Sequence, residues 1–90
     1  MYKLSELEKS ILLAFLALTK ATAGKYLRKD DIVFKYAKRQ RRNVEISIER
    51  LVKEKFLEKF PREERYALTE KGLKEASSLL VEGGKFWRIR

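Results

Sequence analysis

A mainly helical domain carrying one small β-hairpin is what this sequence predicts, from three observations. Apolar residues recur at helical spacing through most of the chain. One stretch, FLEKFPREERYALTEKG (Phe56–Gly72), changes to the alternation of a strand pair around a charged tip. The chain has 90 residues and no cysteine, enough for one core and with no disulfide framework. The predicted arrangement is a three-helix core, a hairpin and a C-terminal helix, all within a single domain over residues 1–90.

The elements follow in order. Ser5 and Glu8 form a capping box, in which each side chain satisfies the other's backbone N–H. Leu7, Ile11, Ala14, Phe15 and Leu18 then recur with a helical period, which predicts a first helix over about residues 5–19. Leu12, Leu13 and Leu16 lie off that stripe. A helix apolar on most sides is buried on most sides, so either the C-terminal helix or a second subunit must cover it. KATAGK is a small-residue connection turning at Gly24, and KYLR has room for a single-bridge strand. Asp30 and Asp31 favour a helix start, and Ile32, Val33, Tyr36 and Ala37 share a face, giving a second helix over about 29–39.

RQRRN is a polar break, and Asn43 is a good N-cap for a third helix over about 43–55 with Val44, Ile48, Leu51 and Val52 inward. Two short helices joined by a few polar residues make a helix-turn-helix pattern. The hairpin spans residues 56–69. Phe56, Leu57 and Phe60 form its first strand, Pro61 ends that strand at an edge, and REE is the tip. On the return strand Tyr66 and Leu68 point inward and Ala67 outward. Thr69 caps a last helix, residues 70–82, with Leu73, Ala76 and Leu80 as its stripe. Gly83-Gly84 is expected to end that helix, leaving KFWRIR in an extended tail over 83–90.

Composition narrows the function. There is no histidine and no cysteine, which removes the commonest general base and the usual zinc ligands. No metal, cofactor or enzymatic activity is expected, and Asp30-Asp31 reads as a helix start rather than a catalytic pair. The longest apolar run, Ile11–Leu18, has eight residues, too few to span a membrane. MYKLSELEKS carries acids, unlike a signal peptide, so a cytoplasmic protein is expected. Asn and Gln occur once each amid many Lys and Glu, the bias of a hyperthermophile protein.

The chain carries 22 basic and 13 acidic residues, net +9, an excess that points to a polyanionic partner. That excess is localised. Residues 25–42 hold eight basic residues against two aspartates, net +6, and end in Lys35, Lys38, Arg39, Arg41 and Arg42. Charge that only solvates a surface is spread more evenly.

The order helix, helix-turn-helix, hairpin, helix resembles the winged helix-turn-helix transcription regulators, with the arsenic-repressor, multiple-antibiotic-resistance and PadR types nearest in style. The resemblance covers roughly residues 5–82, and its most specific part is LVKEKFLEKFPREERYALTEKG. The matching residues are Leu51, Phe56, Leu57, Tyr66, Leu68, Thr69 and Gly72. The family usually has glycine after the third helix, where a left-handed residue is wanted. This chain has Lys55, which costs on the order of 1 kcal/mol in that conformation, so a different helix end is expected. The resemblance implies a homodimeric regulator of transcription that binds double-stranded DNA, with the third helix in the major groove and the hairpin, or wing, on the backbone or minor groove. The same fold serves as a protein–protein adaptor, and a basic patch with an aromatic tail also suits RNA or single strands.

On that reading the third helix presents Asn43, Glu45, Ile46, Ser47, Glu49, Arg50 and Lys53 outward. Arg50 and Ser47 suit base edges, and Lys53 lies beside them. Asn43 suits adenine but has the competing use of N-cap. Glu45 and Glu49 either accept from cytosine or pair with Arg41, Arg42, Arg50 or Lys53 along the helix. Lys38, Arg39, Arg41 and Arg42 lie where phosphates would cross, and Arg62 and Arg65 sit at the wing tip opposite Glu63 and Glu64. Tyr2, Phe15, Phe34 and Phe56 read as packing. Phe86 and Trp87 fold back on the core or a second subunit, or stack on unpaired bases beside Arg88 and Arg90. The expected dimer interface is Leu12, Leu13, Leu16, Leu79, Val81 and Trp87.

Overall fold

The structure, a computed structural model, describes residues 3–88, with side chains described as far as Val81. It is mainly helical with a small three-stranded antiparallel sheet. The elements are α1 (Glu6–Leu18), β1 (Leu27–Arg28), α2 (Lys29–Val33), a 3₁₀ turn (Lys38–Gln40), α3 (Arg41–Lys53), β2 (Leu57–Phe60), β3 (Arg65–Leu68) and α4 (Glu70–Arg88). The core joins Ile11, Leu12 and Phe15 of α1, Ile32 of α2, Val44, Ile48 and Leu51 of α3, Leu57, Tyr66 and Leu68 of the sheet, and Ala76 of α4.

α1 starts as its sequence predicts. The Ser5 hydroxyl accepts from the Glu8 N–H at 3.1 Å, and the Glu8 carboxylate accepts from the Ser5 N–H at 2.8 Å. The leucines off the main stripe are largely covered from within the chain. Leu12 is fully buried and Leu16 nearly so, because α1 packs most extensively against α4. These two residues are therefore core, which corrects their assignment to a subunit interface. Leu13 and Leu79 are half-buried and Val81 is exposed, while the Trp87 side chain lies outside the described residues.

α2 is shorter than the predicted 29–39. After Val33 the backbone bonds tighten to Lys35 N–H on Ile32 O and Tyr36 N–H on Val33 O, and Ala37 is extended. A continuous helix would stack Lys35, Lys38, Arg39, Arg41 and Arg42 at three- and four-residue spacing, where like charges repel. With the helix ended, Phe34 is 62% exposed rather than packed in the core. The 3₁₀ turn runs directly into α3, so Gln40 occupies the N-cap and Asn43 lies inside the first turn. The predicted cap at Asn43 is thereby corrected.

α3 ends with Lys55 in the left-handed region, φ 67°. Lys55 N–H bonds Val52 O at 3.0 Å and Phe56 N–H bonds Leu51 O at 2.9 Å, the paired bonds of a Schellman ending, with Phe56 and Leu51 both buried. The helix thus ends as it would with glycine, and the lysine bears the strain. Lys55→Gly is expected to raise stability by about 0.5–1 kcal/mol, read as a higher urea midpoint at unchanged slope. α1 ends the same way on Lys20 (φ 53°), followed by Ala21 (φ 60°).

The hairpin lies where predicted, and the strand for which KYLR has room joins it as β1. β3 is central, pairing Leu27↔Tyr66 with β1 and Leu57↔Leu68 through Phe60↔Arg65 with β2. Ala67 was expected outward but is fully buried. Tyr26 reaches across the central strand, donating to Glu58 at 3.2 Å and meeting the Phe60 ring edge-on at 5.7 Å. Glu58 is the register partner of Ala67, so this bridge roofs the alanine.

Thr69 caps α4, its hydroxyl accepting from the Gly72 N–H at 3.0 Å. The helix continues through Gly83-Gly84 to Arg88, which corrects the predicted end at residue 82 and the extended tail. Two helical glycines cost about 1 kcal/mol each, and no proline follows to stop the helix. Leu80, expected inward, is 59% exposed.

Candidate nucleic-acid interface

α3 divides into an inner face, two flanks and an outer stripe. Val44, Ile48 and Leu51 fix the inner face in the core. Ser47 joins them at 8% exposure, so it is not presented to a partner, and its assignment to base edges is corrected. The outer stripe is Arg42, Ile46, Glu49 and Lys53, all exposed. Asn43 and Arg50 lie on the flank toward the start of α1, where Arg50 and Lys53 border a depression with Lys3, Leu4, Ser5 and Glu8. Released from capping, Asn43 is exposed.

The other flank faces the sheet, and both acids of α3 are engaged there. Lys29 at the start of α2 bridges Glu45 at 3.1 Å and Glu64 of the hairpin tip at 3.2 Å. The bond to Glu45 is the strongest of the influences holding the Lys29 ammonium above its ordinary pKa, against the opposing effect of partial burial. Tyr66 on β3 donates its hydroxyl to Glu49 Oε2 at 2.7 Å, and Lys59 on β2 stands 3.9 Å from the same oxygen. Burial, followed by the bond to Glu49, pushes the Tyr66 hydroxyl well above its ordinary pKa, so it remains a donor. The pairing expected along the helix, with Arg41, Arg42, Arg50 or Lys53, is made instead across elements.

The basic segment forms the opposite pattern. From Phe34 to Val44 there are five cations and no acid. Lys35, Lys38, Arg39 and Arg42 are exposed and make no ion pair among the described residues. Arg41 differs from them. Its guanidinium lies 4.7 Å from the centre of the Phe34 ring, half-buried, with Nε out of solvent and without a hydrogen-bond partner. Arg41 and Arg42 occupy the first turn of α3, which holds no acid. Cations there oppose the helix dipole and add to the field of its free N–H groups. An anion at this end of the helix would relieve both.

At the hairpin tip, Arg65 is held by Glu63 at 2.6 Å, whereas Arg62 is exposed and makes no ion pair among the described residues. The arrangement therefore brings Lys38, Arg39, Arg42, Asn43, Arg50, Lys53 and Arg62 to the surface, leaves Arg41 and Arg65 engaged, and withdraws Ser47. Sequence reasoning missed Lys29, Lys59 and Tyr66 as the groups that hold the acids of α3. These contacts join residues far apart in the chain, and no local spacing announces them.

No group of histidine, cysteine or carboxylate side chains among the described residues is arranged to hold a metal ion, and no described helix is long and apolar enough to cross a membrane. No family model, curated protein or solved structure matches the chain.

Proposed function

We propose that this chain is a winged-helix protein that binds double-stranded DNA and regulates transcription as a homodimer. α3 enters the major groove and the β2–β3 hairpin, the wing, lies on the flanking backbone or minor groove. The observation that carries this reading is the acid-free arc Lys35, Lys38, Arg39 and Arg42 at the entrance to α3, set against carboxylates of α3 that are paired with hairpin and α2 cations. Phosphates on both sides of a groove would meet that arc and Arg62, while Asn43, Arg50 and the rest of the outer stripe of α3, Ile46, Glu49 and Lys53, face the bases.

Counterion release gives the test. With roughly 4–8 phosphate contacts per dimer, the log–log slope of duplex affinity against salt is expected to be about −4 to −7. A flat response would turn the reading toward a protein partner. A preference for unpaired DNA would turn it toward single strands.

The homodimer reading is supported by a shallow apolar surface to which Leu13, Ala17, Lys20, Ala21 and Leu80 contribute around the largely buried Leu16. Leu80 of this surface exposes 59% of its area, and Val81, the next residue of α4, exposes 61%. Sedimentation at micromolar concentration is expected to give a dimer, and Leu80→Glu with Val81→Glu a monomer. A wild-type monomer would remove the dimer from the proposal without touching the DNA contacts of α3.

A further inference from the structure

We infer that Glu49 is a specificity-determining acceptor, held by the wing so that its free oxygen reads a hydrogen-bond donor on a base edge, with cytosine N4 the best match. This rests on the proposed duplex-DNA reading and names one element of its code.

The geometry is particular. Arg42, Ile46, Glu49 and Lys53 follow one another at spacings of four, three and four, so they form one stripe, and all four are exposed. Glu49 is thus exposed on the surface α3 would insert, at the edge of that surface nearest the sheet. Both contacts made to its carboxylate go to one oxygen, Oε2: the Tyr66 hydroxyl at 2.7 Å and Lys59 Nζ at 3.9 Å. Neither contact uses Oε1.

A long acidic side chain on a DNA-facing helix is ordinarily a liability, because it is mobile and repels phosphate. Here its conformation is fixed by a tyrosine whose ring is buried in the core and whose hydroxyl stays protonated. Lys59 offsets part of its charge while stacking over the same ring at 5.8 Å. What remains is an oriented acceptor. In the major groove cytosine offers N4–H₂ as a donor, and a carboxylate accepts from it, whereas guanine offers acceptors at O6 and N7 and repels it. Adenine's N6 amine is the second-best partner. Ile46, 50% exposed one turn before, offers only methyl groups, which suit the thymine methyl.

The test is selection from a random duplex pool with the full chain, followed by affinity measurements on single-base variants of the selected site. The wild type is expected to require cytosine at one position per half-site, by roughly 5- to 150-fold over guanine. Glu49→Gln keeps size and adds a donor, so adenine should become the preferred base at that position. Tyr66→Phe keeps the ring and removes the tether. It should reduce the cytosine requirement to within about threefold while binding to random duplex stays within about twofold, a split that a general loss of folding does not produce. A selected site whose cytosine requirement survives Glu49→Gln overturns the assignment of Glu49 alone. Wild-type binding without sequence preference, or no duplex binding, overturns the proposed function and this inference with it.

Discussion

Gly72→Ala is expected to destabilise the protein by about 3 kcal/mol or more, a large part of the roughly 5–15 kcal/mol that holds a domain folded. A Cβ on Gly72 would lie 1.9 Å from the Phe56 carbonyl oxygen, 2.9 Å from its carbon and 3.2 Å from Leu68 Cδ2. The first two atoms are backbone and have little freedom to retreat. Phe56 O accepts from the Thr69 N–H at 3.2 Å and from its hydroxyl at 3.2 Å, while Phe56 N–H closes the end of α3. Lys71 adds a bond to Glu54 O at 2.9 Å and lies over the Phe56 ring at 4.3 Å. Three elements converge here, so relief requires the start of α4 to leave the junction of α3 and β2. Urea unfolding measures the loss as a lower midpoint. Gly24→Ala is the comparison, since its left-handed φ of 79° imposes strain but nothing lies within 4 Å of the added carbon. It should cost about 1 kcal/mol. Equal losses at the two glycines would mean that α4 shifts freely and that packing is not what holds Gly72.

That junction also marks how far the sequence could be read. Thr69 with Gly72, and Ser5 with Glu8, are local signals. The chemistry of a cap is complete within three residues, so the cap follows from the sequence directly. The strand pair around Pro61 is equally local. The departures occur where a distant group decides. Ala67 looked solvent-facing because alternation says so, but Tyr26, just before β1, closes over it by reaching across the central strand to Glu58 and Phe60. Phe34 looked like core because it is aromatic, yet the charge repulsion along 35–42 ends α2 and leaves its ring as a platform for Arg41. Ser47 looked presentable because it is small and polar, but its position on α3 sits between Val44 and Leu51. Lys20, Ala21 and Lys55 occupy left-handed positions that the sequence does not announce, since glycine is the usual signal for them. For the candidate site, the cation cluster was legible as composition. The pairing of Glu45 and Glu49 with Lys29, Lys59 and Tyr66 was not, because it depends on where the hairpin folds back against α3.

The cluster itself makes the second large prediction. Arg39→Ala combined with Arg42→Ala is expected to lower duplex affinity by roughly 60-fold per protomer near 0.1 M salt. Each phosphate neutralised contributes a slope of about −0.9, and counterion release vanishes near 1 M, so one contact is worth about 8-fold at 0.1 M and two multiply. The salt slope should flatten by about two per protomer in the same titration. Both residues are exposed, lie outside the core and make no ion pair among the described residues, so their removal leaves the fold intact. Removing Arg42 also relieves its opposition to the dipole of α3, so thermal stability should hold or rise slightly. Arg65→Ala serves as the control. It deletes one positive charge, from a residue already engaged by Glu63 at 2.6 Å, and should change affinity by less than the roughly 8-fold of one free contact. Because phosphate contacts carry no sequence information, the double variant should lose the same factor on selected and random duplex. A loss confined to the selected sequence would move Arg42 from positioning to reading, beside Glu49 on the same stripe. An unchanged slope would take the phosphates away from this end of α3 altogether, and with them the observation on which the DNA reading stands.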